Sequence, residues 1–457
     1  MSFINRNHEM CDIKNSHSDN KSGVVETTND QGSFEASVEM EPCMEERAGD
    51  YTKTEIYRQL RPLLICLRMF GLYFRRTVNA NGHAHIEPIV MFCLFVFFLN
   101  ASNVVRSFAL YRVGDPFDTV MVQRVLFTIW STECAFKVTL FMWNCYQQKG
   151  FPRFFSDWDS ICGSVKLSNV TLFMMKKYIT LSFLFIIGNV VFTLILIYVP
   201  ALESIYLEVV WNNALENSNV IYCKIIICFL AILNSSASMF PVSMFVTLCF
   251  AVGRRLKKFN DELVTAIAAD HFHDRLEDFR IRHLKLCSLV EILDHIFAPF
   301  LAAVYLANIP MFCLTLYTMV TTLKIHLSFV LINMFWLSFI LLQMAIVSVT
   351  AAWVNVKAHS PLQQIYSIRF STTSNDSQLQ MMLFLNHLTG TKVGISAMKL
   401  FVVDKPTILT IAGMMVTYFV LLIQFKMPVS STYTCNVTGR VFMDNATLIL
   451  SQLVPPK

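Results

Sequence analysis

Residues 225–253 read IIICFLAILNSSASMFPVSMFVTLCFAVG, and residues 254–258 directly after them read RRLKK. The first stretch holds no Asp, Glu, Lys or Arg, and it exceeds the roughly 20 apolar residues that a helix needs to cross a bilayer. The second places Arg254, Arg255, Lys257 and Lys258 at its end, the flank that keeps a helix end on the cytoplasmic side. Together the two stretches predict a membrane-crossing helix of known direction.

Outward from it, the same gap in charge recurs at 88–105, 178–202, 295–323, 325–356 and 406–425. All five are rich in Leu, Ile, Val and Phe. A further apolar segment, 117–143, carries Arg124, Glu133 and Lys137. Glu133 and Lys137 are four apart, share one helix face and can pair, which lowers the cost of insertion and turns the pair toward a bundle interior. The expected spans are therefore about 88–110, 117–143, 178–201, 219–251, 297–322, 326–352 and 406–426.

Loop charge alternates in agreement. Residues 53–76 hold Lys53, Arg58, Arg61, Arg68, Arg75 and Arg76 against Glu55, and 145–177 hold five cations against two aspartates. Between them in the alternation, 203–218 hold Glu203, Glu208 and Glu216 and no cation. The amino terminus is expected to be cytoplasmic and the carboxyl terminus extracellular. The fold class is an all-α membrane protein of seven transmembrane helices, with spans extended into a cytoplasmic helical layer. That layer is read from 252–294, where eight basic and eight acidic residues mix with apolar ones at helical spacing, and from 357–400, broken by a turn-like run at 371–377.

Composition excludes other classes. Only 15% of the 457 residues are charged, against about 25% in soluble domains, and mean hydropathy is +0.50. A soluble enzyme, a nucleic-acid binder and a disordered scaffold are excluded as readings of the whole chain, and a net charge of +5 is too small and too dispersed for a nucleic-acid partner. Within residues 1–50 there are four basic and eleven acidic residues. Residues 1–52 are expected to be a disordered acidic cytoplasmic tail without the basic start and apolar core of a cleaved signal. Residues 53–426 are expected to form the seven-helix domain and 427–457 an extracellular tail. Residues 56–76 read as a basic amphipathic helix on the inner membrane surface, or equally as a positive flank that orients the first span.

Sequons at Asn436 and Asn445 agree with an external tail, although Asn100, Asn169, Asn234 and Asn375 also begin sequons inside spans or on the other side. The 13 cysteines form no framework, and no Cys/His zinc spacing appears. His271 and His273 flank Phe272 as a solvated face. No metal, cofactor, phosphate loop or catalytic dyad is expected, and no internal repeat of the transporter kind.

The last span ends Thr417-Tyr418-Phe419-Val420-Leu421-Leu422-Ile423-Gln424-Phe425. A Thr-Tyr, five hydrophobics and Gln-Phe resembles the signature that closes the final span of the insect gustatory receptor family. Its family residues here are Thr417, Tyr418, Gln424 and Phe425. Phe401-Val402-Val403-Asp404 resembles the family's lead-in, while Pro406 departs from it. A proline there would break or kink a helix at the membrane boundary, consistent with a cytoplasmic half-helix joining a membrane half-helix. The broader resemblance covers about residues 55–426.

Independently of any resemblance, Gly413, Thr417, Leu421 and Gln424 share one helix face, too polar for lipid. Taken alone, that face is glue between neighbouring spans. The resemblance instead implies a tetrameric, ligand-gated, non-selective cation channel, homo- or heteromeric, in the plasma membrane. Those four residues would line its pore, with Gln424 at the outer mouth and Leu421 or Val420 as a hydrophobic constriction. Thr417 and Tyr418 would couple the pore helix to its neighbours. The ligand is a small-molecule tastant, and its pocket is expected among spans two to six, toward the outer half. Candidates are Trp130, Asn234, Ser235, Asn308, Asn333 and Trp336, each with a plainer reading as packing or interhelical glue. A polar pocket would suit sugars and an apolar one bitter compounds. The related odorant receptors share the architecture. A G-protein-coupled receptor would need Asp/Glu-Arg-Tyr after span three and Asn-Pro-x-x-Tyr in span seven, and both are missing.

Overall fold

The computed structural model describes residues 51–424, apart from 76, 79–83, 86–87, 112–118, 148, 212–219, 270–271, 273–274, 323–326 and 368–374. The tail at 1–50, His271, His273, Phe425, Asn436, Asn445 and most of the break at 371–377 lie outside the described residues.

Eleven helices account for most of the described chain: α1 (Glu55–Met69), α2 (Pro88–Ala109), α3 (Thr119–Tyr146), α4 (Phe151–Cys162), α5 (Asn169–Tyr198), α6 (Pro200–Trp211), α7 (Val220–Ala268), α8 (Leu276–Thr322), α9 (Leu327–Tyr366), α10 (Asn375–Gly390) and α11 (Lys405–Gln424). Seven of them, α2, α3, α5, α7, α8, α9 and α11, are long and apolar enough to cross a membrane. All seven expected spans are present, the charged second one included. Phe95, Phe98, Ile187, Ile221 and Leu306 point outward, as side chains bathed in lipid do.

The 49 residues of α7 extend over about 70 Å at 1.5 Å per residue, more than twice the roughly 30 Å hydrocarbon core. The helix therefore continues well past any bilayer, as do α8 and α9. On α7, residues 233–249 are buried on every face. Ser235, Ser236, Ala237, Ser238 and Ser243 within that stretch let neighbouring helices approach closely. Gly253 serves the same purpose at its end, where a Cβ would collide with the Trp353 ring of α9.

Three elements differ from the sequence expectation. The apolar stripe of α1, expected to lie on a membrane surface, is covered by protein: Leu60, Leu63 and Leu67 are fully buried in the core that also holds Phe154 and Phe155 of α4. Helix α1 ends in a Schellman turn, with Leu72 N–H bonded to Leu67 O (2.8 Å) and Gly71 N–H to Arg68 O (3.1 Å). Gly71 supplies the positive φ of +70° that this turn requires. Secondly, α5 begins at Asn169 rather than near 178, because Ser168 caps it by accepting from Thr171 N–H at 3.2 Å and both Lys176 and Lys177 face outward.

Thirdly, no half-helix precedes α11. Ser396–Ala397 (β3) and Phe401–Val402 (β4) form an antiparallel hairpin in the register Ser396 to Val402, after the smaller pair Thr77–Val78 (β1) and Ala84–His85 (β2) in the register Thr77 to His85. Asp294 of α8 holds the β3–β4 hairpin by accepting from Ser396 N–H (2.6 Å) and Oγ (2.8 Å). Pro406 falls in the first turn of α11, where its missing N–H would have had no helical partner, so it starts the helix and does not kink it.

Candidate functional site

A cavity of about 150 Å³ lies among α2, α3, α5, α6, α7, α8 and α9. Its residues on α7, from Ile227 to Asn234, sit about five turns or more from the cationic cluster that begins at Arg254. Trp130, Asn234, Asn333 and Trp336 line it; Ser235 and Asn308 do not. Ser235 Oγ instead accepts from Asn189 Nδ2 at 2.6 Å and donates to Ala231 O at 2.7 Å. Asn308 is fully buried on α8 and donates to Val304 O at 2.9 Å.

The wall is mostly apolar and includes an aromatic cluster. Trp130 of α3 and Trp336 of α9 meet edge to face at 4.9 Å, and Phe127 lies 6.2 Å from Trp130. Phe185 backs Trp336 from α5 and stacks on Phe339 at 3.8 Å. Edge-to-face pairs of this kind hold rings in fixed orientations, so the wall is preformed.

Seven polar side chains from six helices also reach the lining, and two groups are conspicuous. Asn234 is 1% exposed, yet neither its Oδ1 nor its Nδ2 has a hydrogen-bond partner, and neither has Trp130 Nε1. A buried amide left unpaired costs about 1–3 kcal/mol. Here three unspent hydrogen-bonding atoms belong to side chains that line one apolar cavity. Gln123 Nε2 lies 3.5 Å from Asn333 Oδ1. No Asp or Glu is in the lining.

Helix α6 closes one end with Tyr206, Val209 and Val210. Its last carbonyls receive two guanidinium groups: Arg106 of α2 donates to Val210 O, and Arg124 of α3 donates to Glu208 O at 3.2 Å. Cations on the carbonyl end of a helix complement its dipole. At the other end Glu203 pairs with Lys224 of α7 at 2.7 Å. Burial pushes the Tyr206 phenol up to about 12, so it stays neutral.

The sequence reading missed α6, Arg106, Asn189, Thr193, Tyr206 and Thr315 in this wall. Asn189, the single amide side chain in the run 178–202, carried the same signal as Asn234. Helix α6 lies in the acidic loop and left no comparable mark.

Beyond the cavity floor, Glu133 and Lys137 of α3 pair at 2.5 Å with their side chains closed to solvent. Gln343 Nε2 of α9 donates to Glu133 Oε1 at 3.3 Å, and Lys137 Nζ lies 5.5 Å from the centre of the Phe300 ring.

Helix α11 stands at the edge of the bundle. Ile411 and Met415 are buried against it, whereas Gly413, Thr417, Tyr418, Leu421 and Gln424 are all exposed. A Cβ at Gly413 would meet nothing within 4 Å. Thr417 Oγ1 donates to Gly413 O at 2.9 Å, inside its own helix. Asp404 caps α11, accepting from Thr407 N–H (2.9 Å) and Oγ1 (2.6 Å).

The family model described as "7tm Chemosensory receptor" matches residues 60–428. No curated protein matches the chain. Among solved structures, the insect olfactory receptor OR5 from Machilis hrabei in complex with eugenol is similar, with a TM-score of 0.67 at 16% identity over 83% of this chain and 100% of that one. A second structure of the same receptor gives 0.65 at 15% identity, with the same coverage.

Proposed function

The chain belongs to the 7tm chemosensory receptor family, and from that premise we propose that it is a gustatory receptor, a tetrameric ligand-gated cation channel opened by a small neutral molecule. It is a multi-pass membrane protein with the fold of the insect olfactory receptors. In this reading the amino terminus is cytoplasmic, the protein resides in the plasma membrane, and four copies of α11 surround the ion path.

The observation that carries the ligand assignment is Asn234, whose amide is buried in the cavity wall with both polar atoms unpartnered. A ligand that both donates to and accepts from that amide recovers the cost of burying it. A cavity near 150 Å³ is about the size that takes a benzene ring. A mostly apolar lining with an aromatic cluster and no carboxylates favours a compact, uncharged, ring-bearing compound over a sugar. The exposed face Gly413–Thr417–Leu421–Gln424 supports the pore assignment, since a face this polar is poorly suited to lipid.

Whole-cell recording from cells that express this chain alone tests the proposal, with sugars, bitter compounds and volatile aromatics applied in turn. Evoked cation currents support it, and silence toward every class despite surface expression counts against it. An odorant-receptor subunit is the second reading, favoured by the apolar cavity and by the eugenol bound to the olfactory receptor of similar fold. Currents that require a co-expressed partner subunit and answer only to volatiles would select it.

A further inference from the structure

Away from the cavity and the pore helix, His283 and Cys287 lie one turn apart on α8, and His387 reaches them from α10. One ligand atom from each residue falls within 4.8 Å of the others. We propose that these three side chains form a zinc site that clips α10 to α8.

The geometry on α8 is already that of a metal pair. A Zn–S bond of about 2.3 Å and a Zn–N bond of about 2.0–2.1 Å at a tetrahedral angle set sulfur and nitrogen about 3.5 Å apart. Cys287 Sγ lies 3.5 Å from His283 Nδ1. His283 Nε2 is 3.0 Å from the carbonyl oxygen of Ala358 on α9. Donation of Nε2–H to that carbonyl fixes the tautomer and leaves the Nδ1 lone pair for a ligand, the outer-shell bond that metal-bound histidines make.

The third donor is unspent. His387 Nε2 is buried and has no hydrogen-bond partner, while the residue as a whole is only half-buried. A modest rotation of this ring completes three protein ligands, and a water takes the fourth position.

Without metal, the thiol proton of Cys287 bonds to His283 Nδ1. Burial lowers the His283 imidazole to about 4 and lowers His387 as well. Burial pushes the Cys287 thiol up to about 12, with Glu291 adding to the rise. Zinc therefore displaces one proton, from sulfur to solvent, and no electron moves. The sequence hides the site because His387 is a hundred residues from its partners, and a single His-x-x-x-Cys turn shows no zinc spacing.

The clip has a mechanical position. Two turns beyond Cys287 on the same helix, Asp294 holds the hairpin that leads into α11, so tying α10 to α8 stiffens the support of that helix.

Full-length protein in detergent, stripped with a chelator, is titrated with Co²⁺. One equivalent should give tetrahedral cobalt absorption with a thiolate-to-cobalt charge-transfer band, and Zn²⁺ should displace it. Cys287→Ser should abolish the charge-transfer band. His387→Ala, at a half-buried position that tolerates truncation, should weaken cobalt binding more than about tenfold, the loss that even an outer-shell partner produces. Absence of the band in the parent protein overturns the proposal, as does a band that survives Cys287→Ser. Unchanged affinity in His387→Ala also overturns it.

Discussion

Glu133 and Lys137 face each other across 2.5 Å on one side of α3, closed from solvent and from lipid. Trp130, which lines the cavity, lies about one turn away on the same helix. Removing one partner of a buried pair leaves an uncompensated charge and costs about 3–5 kcal/mol, whereas removing both is often close to neutral. Lys137→Met should therefore sharply lower the thermal unfolding midpoint in detergent. Adding Glu133→Gln should restore most of it, because Gln343 already offers a hydrogen-bonding amide. A double variant as unstable as the single would show that packing, not charge, explains the loss.

Asn234 predicts a trade between stability and response. Asn234→Leu replaces an unpaired buried amide with an apolar side chain, relieving about 1–3 kcal/mol. The unliganded protein should melt no lower than the parent, while the agonist dose–response curve should shift by about tenfold or more, equivalent to about 1.4 kcal/mol of lost contact. A stable variant with an unshifted curve would remove Asn234 from the recognition site.

Gly413 separates the fold of one subunit from the assembly. Nothing lies within 4 Å of a Cβ placed there, so Gly413→Val should fold and reach the surface normally. If four copies of this face surround the ion path, the added side chains narrow it and the evoked current falls. Gln424→Ala should likewise change permeation or gating at constant surface level. Parent-like currents in both variants would place the pore elsewhere.

Asp404 should link the start of α11 to pH. Its hydrogen bonds from Thr407 hold the carboxyl below its ordinary 3.8. The stabilisation is present above that ordinary value and is lost as pH falls through the depressed one. Asp404→Ala should cost about 1 kcal/mol at neutral pH, as the loss of a helix cap does. In strongly acid solution the parent and the variant should converge, as read from thermal midpoints across pH. A gap that persists undiminished in acid would deny the carboxylate its role.

The seven long helices were legible because a charge is costly inside a bilayer, so the gaps between charges mark the spans. The Glu133–Lys137 pair was legible because helical spacing alone puts the two side chains together. Position in the cavity was legible only in part. Trp130, Asn234, Asn333 and Trp336 come from three helices, and their convergence depends on packing that no periodicity encodes. Ser235, polar and next in sequence to Asn234, turns to Asn189 instead. The β3–β4 hairpin was missed because its strands are two residues each, too short for an alternating pattern. Its turn places Met398 and Lys399 at positive φ without a glycine to announce it.

Helix α6 is tethered through its main chain. Arg106 and Arg124 grip the carbonyls of Val210 and Glu208, and carbonyls are the same whatever side chains are attached to them. Substitutions at Tyr206, Val209 or Val210 can therefore re-face the end of the cavity while the anchor stays intact. Chemical preference in such a receptor can drift by single steps, each variant still folded and still available to selection.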